Sequence, residues 1–235
     1  IFAGGISPAL EGEEMGVNLP GFNRGDRTEI ELPEVQREFI QALRDAGKKV
    51  IFVNCSGSPI AMETEVKNCE AILQAWYPGQ SGGTAVAEVI FGDYNPAGRL
   101  PVTFYKNITQ LPDFENYHMK GRTYRYMTEE PLFPFGYGLS YSSFQYGTPT
   151  IDKASIKVGE AITVTVPLSN LSKIDGDEVV QAYLRKENDS EGPAKTLRAF
   201  KRVYIPKGET KLVNILFSAE QFEWWNSTAA RMEIQ

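Results

Sequence analysis

Glu11, Glu13 and Glu14 place three carboxyl groups within four residues, in the run Ser7-Pro8-Ala9-Leu10-Glu11-Gly12-Glu13-Glu14. Like charges that close oppose one another's ionisation, so at least one of the three should hold its proton to higher pH than an isolated carboxyl. A carboxylic acid still protonated near neutrality can serve as a general acid. The same run also fits a solvated acidic loop paired with Arg24 and Arg27. Residue type alone leaves both readings open.

Other reactive residue types carry less. His118 is the only histidine; nothing in the sequence sets a nucleophile beside it, and it reads as a surface or connector residue. Cys55 and Ser56 follow a strand-like run but lie outside a Gly-x-Ser-x-Gly elbow, so both read as structural. Gly79-Gln80-Ser81-Gly82-Gly83 lacks the Lys-Ser/Thr ending of a nucleotide loop, and Gly4-Gly5 lacks a third spaced glycine. These glycines read as points of close backbone approach, to a neighbouring strand or to a sugar. Asp175-Gly176-Asp177-Glu178 lacks the ligand spacing of a calcium loop and reads as a turn. Cys55 and Cys69 have no Cys or His neighbours at zinc spacing. A right-handed crossover would put them at opposite edges of a sheet, so no disulfide is expected. No metal and no cofactor is expected.

The elements that must position the acidic run alternate. Pro33 opens a helix-like segment in which Val35, Phe39, Leu43 and Ala46 form an apolar stripe, closed by Gly47. Lys49–Asn54 is β-branched and reads as a buried parallel strand. Ile60–Asn68 reads as a helix, Ala71–Trp76 as a strand, Thr84–Phe91 as a helix closed by Gly92, and Leu100–Phe104 as a further strand. Strands alternating with helices imply a mostly parallel sheet sandwiched by helices. Ligands bind outside the carboxyl ends of such strands, so the acidic run, Cys55–Pro59 and Tyr77–Gly83 share one rim. Tyr117–Tyr146 holds six Tyr and three Phe in thirty residues, too aromatic for a free linker. From about Thr148 the period changes to two, in Ile162–Val166, Val179–Leu184 and Leu212–Phe217. Asp175-Gly176 and Lys207-Gly208 read as hairpin turns, giving an all-β fibronectin type III-like sandwich. The expected domains are 1–116 (α/β), 117–147 (aromatic connector) and 148–235 (β-sandwich). Phe222, Trp224 and Trp225 read as core or interface packing rather than as a sugar platform.

Composition narrows the function class. The chain has 30 acidic and 24 basic side chains among 235 residues, a net charge of −6 and 42% hydrophobic residues. A nucleic-acid binder would need a basic stripe. No apolar run approaches the ~20 residues of a membrane-spanning helix, so neither nucleic acid nor membrane is an expected partner. Ile1-Phe2-Ala3-Gly4-Gly5 reads as the end of a buried strand with no starting Met, and the last residues enter a strand-like run. A cut from a longer polypeptide is therefore expected at both ends. Asn54, Asn107, Asn170, Asn188 and Asn226 begin Asn-x-Ser/Thr sequons. Asn54 ends a buried strand and should be inaccessible; the rest fit an exported protein, periplasmic or secreted.

Four stretches resemble the C-terminal half of glycoside hydrolase family 3 enzymes: AGGISPALEGEE with GDRTEIELP; VIFVNCSGSPIAM with AILQAWYPGQSGGTAVAEVIFGDYNPAGRLPVTFY; GRTYRYMTEEPLFPFGYGLSYSSFQY; and DGDEVVQAYLRK with LRAFKRVYIPKGETKLVNILFS. They follow the family's order over nearly the whole chain, and LEGEE, NCSGSPIA and AWYPGQSGGTAVAEV look more like its β-xylosidase branch. The resemblance implies a retaining, exo-acting β-glycosidase with an N-terminal (β/α)8 barrel that carries an aspartate nucleophile. It implies that Glu13 is the acid/base, with Glu11 and Glu14 on the substrate side. The stretch Met15–Gly25 separates Glu13 from Asp26-Arg27 by more than the family spacing, so the choice among the three glutamates stays open. The implied partners are xylo-oligosaccharide or another β-glycoside and the barrel of the same polypeptide, without which this chain should be inactive. The alternatives are a β-glucosidase of the same family and a non-catalytic carbohydrate-binding module.

Overall fold

The computed structural model describes residues 1–11 and 16–234. One unit comprises Ile1–Tyr94 and Leu100–Tyr137. In chain order it runs β1 (Phe2–Gly5), α1 (Pro8–Glu11), the short strands β2 (Phe22–Asn23) and β3 (Asp26–Arg27), α2 (Glu34–Asp45), β4 (Ile51–Cys55), α3 (Glu63–Asn68), β5 (Ala71–Gln74), α4 (Gly82–Phe91) and α5 (Thr123–Tyr126). β1, β4 and β5 form a parallel sheet in the order β1-β4-β5, with Phe2 opposite Phe52 and Phe52 opposite Ile72. β4 is central and reads Ile-Phe-Val-Asn-Cys because both its faces are covered; Phe52, Val53 and Asn54 are buried. Ile6, Leu32, Ile40, Phe52, Ile60, Met62 and Phe104 make the core. Burying each large apolar side chain contributes about 1.5–3 kcal/mol.

Three local readings are corrected. The inner face of α2 is not the Val35/Phe39 stripe: those two are 70% and 51% exposed, whereas Ile40 is fully buried. The helix is turned so that Gln36, one turn before Ile40, grips β1. Its amide donates to the Gly5 carbonyl and accepts from the Gly5 N–H, each at 2.8 Å. α3 starts at Glu63, because Ala61 is held in a bridge to Glu31 and Met62 is the helix N-cap. Leu100–Phe104 is no strand. Pro101 has no N–H to donate, and the segment is held instead by the Leu100–Tyr137 and Gly136–Leu100 bonds and a single bridge between Phe104 and Phe133. Aromatic contacts follow: Phe133 stacks on Tyr137 at 5.1 Å and Tyr124 on Phe135 at 4.2 Å.

The second unit joins Asn95–Arg99 to Gly138–Gln235. It contains β6 (Phe144–Tyr146), β7 (Thr150–Ile151), β8 (Ile162–Asn170), β9 (Gly176–Leu184), β10 (Thr196–Ile205), β11 (Thr210–Phe217), β12 (Glu223–Asn226) and β13 (Arg231–Ile234). β11-β8-β6 form one antiparallel sheet and β10-β9 another. Val166, Leu168, Val180, Ile205, Val213, Ile215 and Phe217 fill the space between them. Alternate residues of β8 and β11 point inward, as period two requires. The turns at Asp175-Gly176 and Lys207-Gly208 join β8 to β9 and β10 to β11. They carry the chain from one sheet to the other and are not hairpins, because the strands that flank each turn pair with other neighbours. β10 itself has no clean alternation in sequence. Its register slips between Leu197 and Ala199, and the extra residue, Arg198, lies over the Trp224 ring at 4.6 Å. The sequon residue Asn170 is 1% exposed. Its amide is spent on the Ile174 and Ile205 carbonyls and on Ser172, so like Asn54 it is closed to modification.

Asn95–Arg99 is a short strap within this unit. The Asn95 amide donates to Ser142 Oγ and the Asp175 carbonyl and accepts from Ser140 Oγ and the Tyr141 N–H. Arg99 pairs with Glu178 at 2.5 Å, their side chains 12% and 11% exposed. The other Glu178 oxygen accepts from Tyr146 OH at 3.0 Å. Burial, and then Glu178, push that phenol far above its ordinary range. Arg99→Met, which strands the Glu178 charge, should cost this unit about 3 kcal/mol. The check is a urea melt followed at Trp224 and Trp225; Leu at position 178 in the same variant should restore most of the loss. In the first unit, Cys55 and Cys69 are free thiols. Burial, with Glu65 adding to it, raises the Cys69 thiol to about 11. The folded state therefore keeps that proton where the unfolded chain loses it, and this contribution to stability falls as pH rises from about 9 to 11. At pH 8 we expect iodoacetamide to modify Cys69 roughly 10²-fold more slowly than an open thiol, as peptide mass spectrometry would read.

Candidate active site

The sheet sets three loops side by side at the carboxyl ends of β1, β4 and β5. β1 can come this close to β4 only because Gly5 has φ +126°; a Cβ there would collide with the Cys55 carbonyl. Past Gly5, the Ile6 N–H donates to the Cys55 carbonyl at 3.0 Å, and Ser7 O accepts from the Leu10 and Glu11 N–H groups to make the single turn α1. At the end of β4, Asn54 and Ser56 are fully buried. Asn54 Nδ2 donates to Gln74 Oε1 at 2.6 Å and to Ser56 Oγ at 3.2 Å, and Gln74 Nε2 donates to Ser56 Oγ at 3.3 Å. Ser56 thus receives two amide hydrogens, and its own goes to the Ser58 carbonyl at 2.8 Å. This buried network holds the second loop in place.

Glu11 is where the three loops meet. Its Oε1 accepts from Ser58 Oγ at 2.7 Å and its Oε2 from Tyr77 OH at 2.6 Å. Both distances are those of hydroxyl-to-carboxylate bonds, the strong kind. Tyr77 OH also lies 2.8 Å from the Ile6 carbonyl, so its one hydrogen serves two acceptors on the first loop. Burial raises the Tyr77 phenol, and the bond to Glu11 raises it further. Trp76, just before it, is held at φ +56°, a strained setting for an aromatic residue that turns the chain from β5 into the loop. Its ring packs edge-on to Phe104 at 6.1 Å.

Arg27 comes to the same point from the β2–β3 hairpin, whose turn is Arg24-Gly25, both at positive φ. Its Nη1 donates to Ser58 Oγ at 3.2 Å and to the Pro59 carbonyl at 3.4 Å, and Nη2 to the Glu31 carbonyl at 3.3 Å. Burial lowers the Arg27 pKa, while Glu11 and Glu31 work against that shift. Asp26 and Arg24 are exposed. Of the predicted site residues, Glu11 is thus tied to its own sheet rim; Glu13 and Glu14 lie outside the described residues. His118 is exposed in a separate loop. Among the described residues no cluster of metal-ligating side chains occurs. Sequence reasoning marked the loops of Ser58 and Tyr77 as part of the rim but missed both residues as partners of Glu11.

Comparison with known proteins agrees with this architecture. The glycosyl hydrolase family 3 C-terminal domain matches residues 1–141, and a fibronectin type III-like domain matches residues 178–235. The chain belongs to glycosyl hydrolase family 3. Within this family it is 55% identical over 232 residues to a xylan 1,4-beta-xylosidase of Xylanibacter ruminicola, covering 99% of this chain and 27% of that one. It is 35% identical to a periplasmic beta-glucosidase of Salmonella typhimurium, covering 93% of this chain and 30% of that one. A solved β-glucosidase of Erythrobacter marinus superposes with a TM-score of 0.84 at 36% identity, covering 99% of this chain and 31% of that one. The family 3 chain described here thus spans under a third of the length of these relatives.

Removing the Tyr77 hydroxyl should loosen the first loop while leaving the sheet intact. In Tyr77→Phe, with about 1 kcal/mol of hydrogen bonding lost, the Leu10 and Glu11 amides should exchange with solvent several-fold faster. The Phe52 and Val53 amides in β4 should be unchanged in the same hydrogen-exchange experiment.

Proposed function

We propose that this chain is the C-terminal part of a retaining, exo-acting β-glycosidase that removes xylose from xylo-oligosaccharides, and that Glu13 is its acid/base. The observation that carries the reading is the tether at Glu11. It ends a loop fastened to the carboxyl edge of the sheet, two residues before Glu13, in a chain 55% identical to a xylan 1,4-beta-xylosidase. In this reading an aspartate on the N-terminal barrel attacks the anomeric carbon while Glu13 gives its proton to the departing glycosidic oxygen. Glu13 then takes a proton from the water that releases the sugar. Two carboxyl groups roughly 5–5.5 Å apart suit that sequence of steps. The chain alone supplies one of the two, and by this proposal turns over no glycoside by itself. Glu11, engaged by Ser58 and Tyr77, faces the substrate side as a support rather than as the proton donor.

The β-glucosidase kinship favours a second substrate, glucose-terminated β-glycosides, and one comparison separates the two. The full-length enzyme should show higher kcat/KM on aryl β-xylosides than on the matching aryl β-glucosides; the reverse order would make it a glucosidase. Glu13→Gln in that enzyme should lower kcat on xylobiose by about 10²–10⁴. It should spare a xyloside with a strongly acidic leaving group, which needs no proton, in the first step. An undiminished rate on xylobiose would remove Glu13 from the reaction.

A further inference from the structure

We infer that Ser58 is a positioning residue that closes the acid/base loop by holding both of its ends, with Glu11 and Arg27 as the two ends it holds. This rests on the reading of Glu13 as acid/base. The entry side of the loop reaches Ser58 through Glu11 Oε1 at 2.7 Å, and the return side through Arg27 Nη1 at 3.2 Å. The fifteen residues between them, 12 to 26, include Glu13.

The hydrogen count gives the clasp a fixed direction. A guanidinium only donates, and a hydroxyl has one hydrogen to give. Arg27 therefore commits Ser58 Oγ to accepting from one side, and the serine hydrogen is left for Glu11. Threonine keeps this pattern; alanine breaks both contacts at once. Tyr77 gives Glu11 a second, independent donor, and the buried Asn54–Ser56–Gln74 network fixes the Ser58 backbone beneath it. Ser58 thus acts through Glu11 and Arg27, which flank Glu13 in the sequence, and not on substrate. A displacement of about 1 Å in a reacting group can cost on the order of 10² in rate.

The test is a double-mutant cycle in the full-length enzyme, with xylobiose as substrate. Ser58→Ala should lower kcat about 10- to 100-fold with little change in KM, and the pH–rate profile should keep its basic limb, because Glu13 is still there to titrate. Ser58→Thr should recover most of the rate. Tyr77→Phe, an isosteric change, should lose rate in the same direction, which keeps the test decisive if Ser58→Ala folds poorly. In a Glu13→Gln background, Ser58→Ala should cost no more than about twofold, since nothing remains to position. A loss there equal to that in the unaltered background overturns the clasp and leaves the role of Glu13 standing. A Glu13→Gln enzyme with full activity on xylobiose overturns both readings. Loss of the basic limb in Glu11→Gln alone would make Glu11 the acid/base and overturn the clasp as well.

Discussion

The arrangement at the rim depends on which way one hydroxyl hydrogen points. Arg27 can only donate, so Ser58 Oγ accepts from it and turns its hydrogen to Glu11. One step deeper the same rule operates at Ser56, which accepts from Asn54 and Gln74 and donates to the Ser58 carbonyl. The polar groups at the end of β4 are thereby ordered into a directional chain, and the low-dielectric surroundings of Asn54 and Ser56 strengthen each link. That chain needs β1 and β5 in register on either side of β4. Gly5 admits the first and the parallel pairing of Asn54 with Gln74 supplies the second.

The α/β organisation was legible because alternating strand and helix periods are properties of the chain itself. The phase of α2 was not. Counting apolar positions favoured Val35 and Phe39, while a glutamine that pairs with both polar groups of Gly5 turned the helix by about a quarter of a turn. Periodicity scores only the apolar residues, and here a polar one decides. The dipeptides Asp175-Gly176 and Lys207-Gly208 marked real turns but carried no information on which sheet the next strand enters. That is set by tertiary packing around Leu168 and Val213. β10 is not legible in the sequence because the Arg198 bulge breaks its alternation.

At the candidate site, the three loops could be read from the strands that precede them, and the acidic run from its composition. The contacts that organise Glu11 could not. Ser58 and Tyr77 lie 47 and 66 residues away in sequence, and serine and tyrosine carry no signature that links them to one particular glutamate. The parallel sheet brings them together, since it gathers the ends of successive strands at one edge. The family resemblance singled out Glu13 by its neighbours in sequence, and the geometry adds what surrounds the residue two positions earlier.

The strap Asn95–Arg99 has a consequence for how this region can be divided or recombined. Its five residues precede Leu100–Tyr137 in the chain yet pack with Gly138–Gln235. A polypeptide ending after Tyr137 would carry Arg99 without Glu178, and one beginning at Gly138 would carry a shielded carboxylate with no counter-charge. No single cut yields two self-sufficient pieces. The sandwich can be inherited, exchanged or expressed intact only together with the preceding stretch of chain, so gene-level shuffling at this junction would tend to move both as one block.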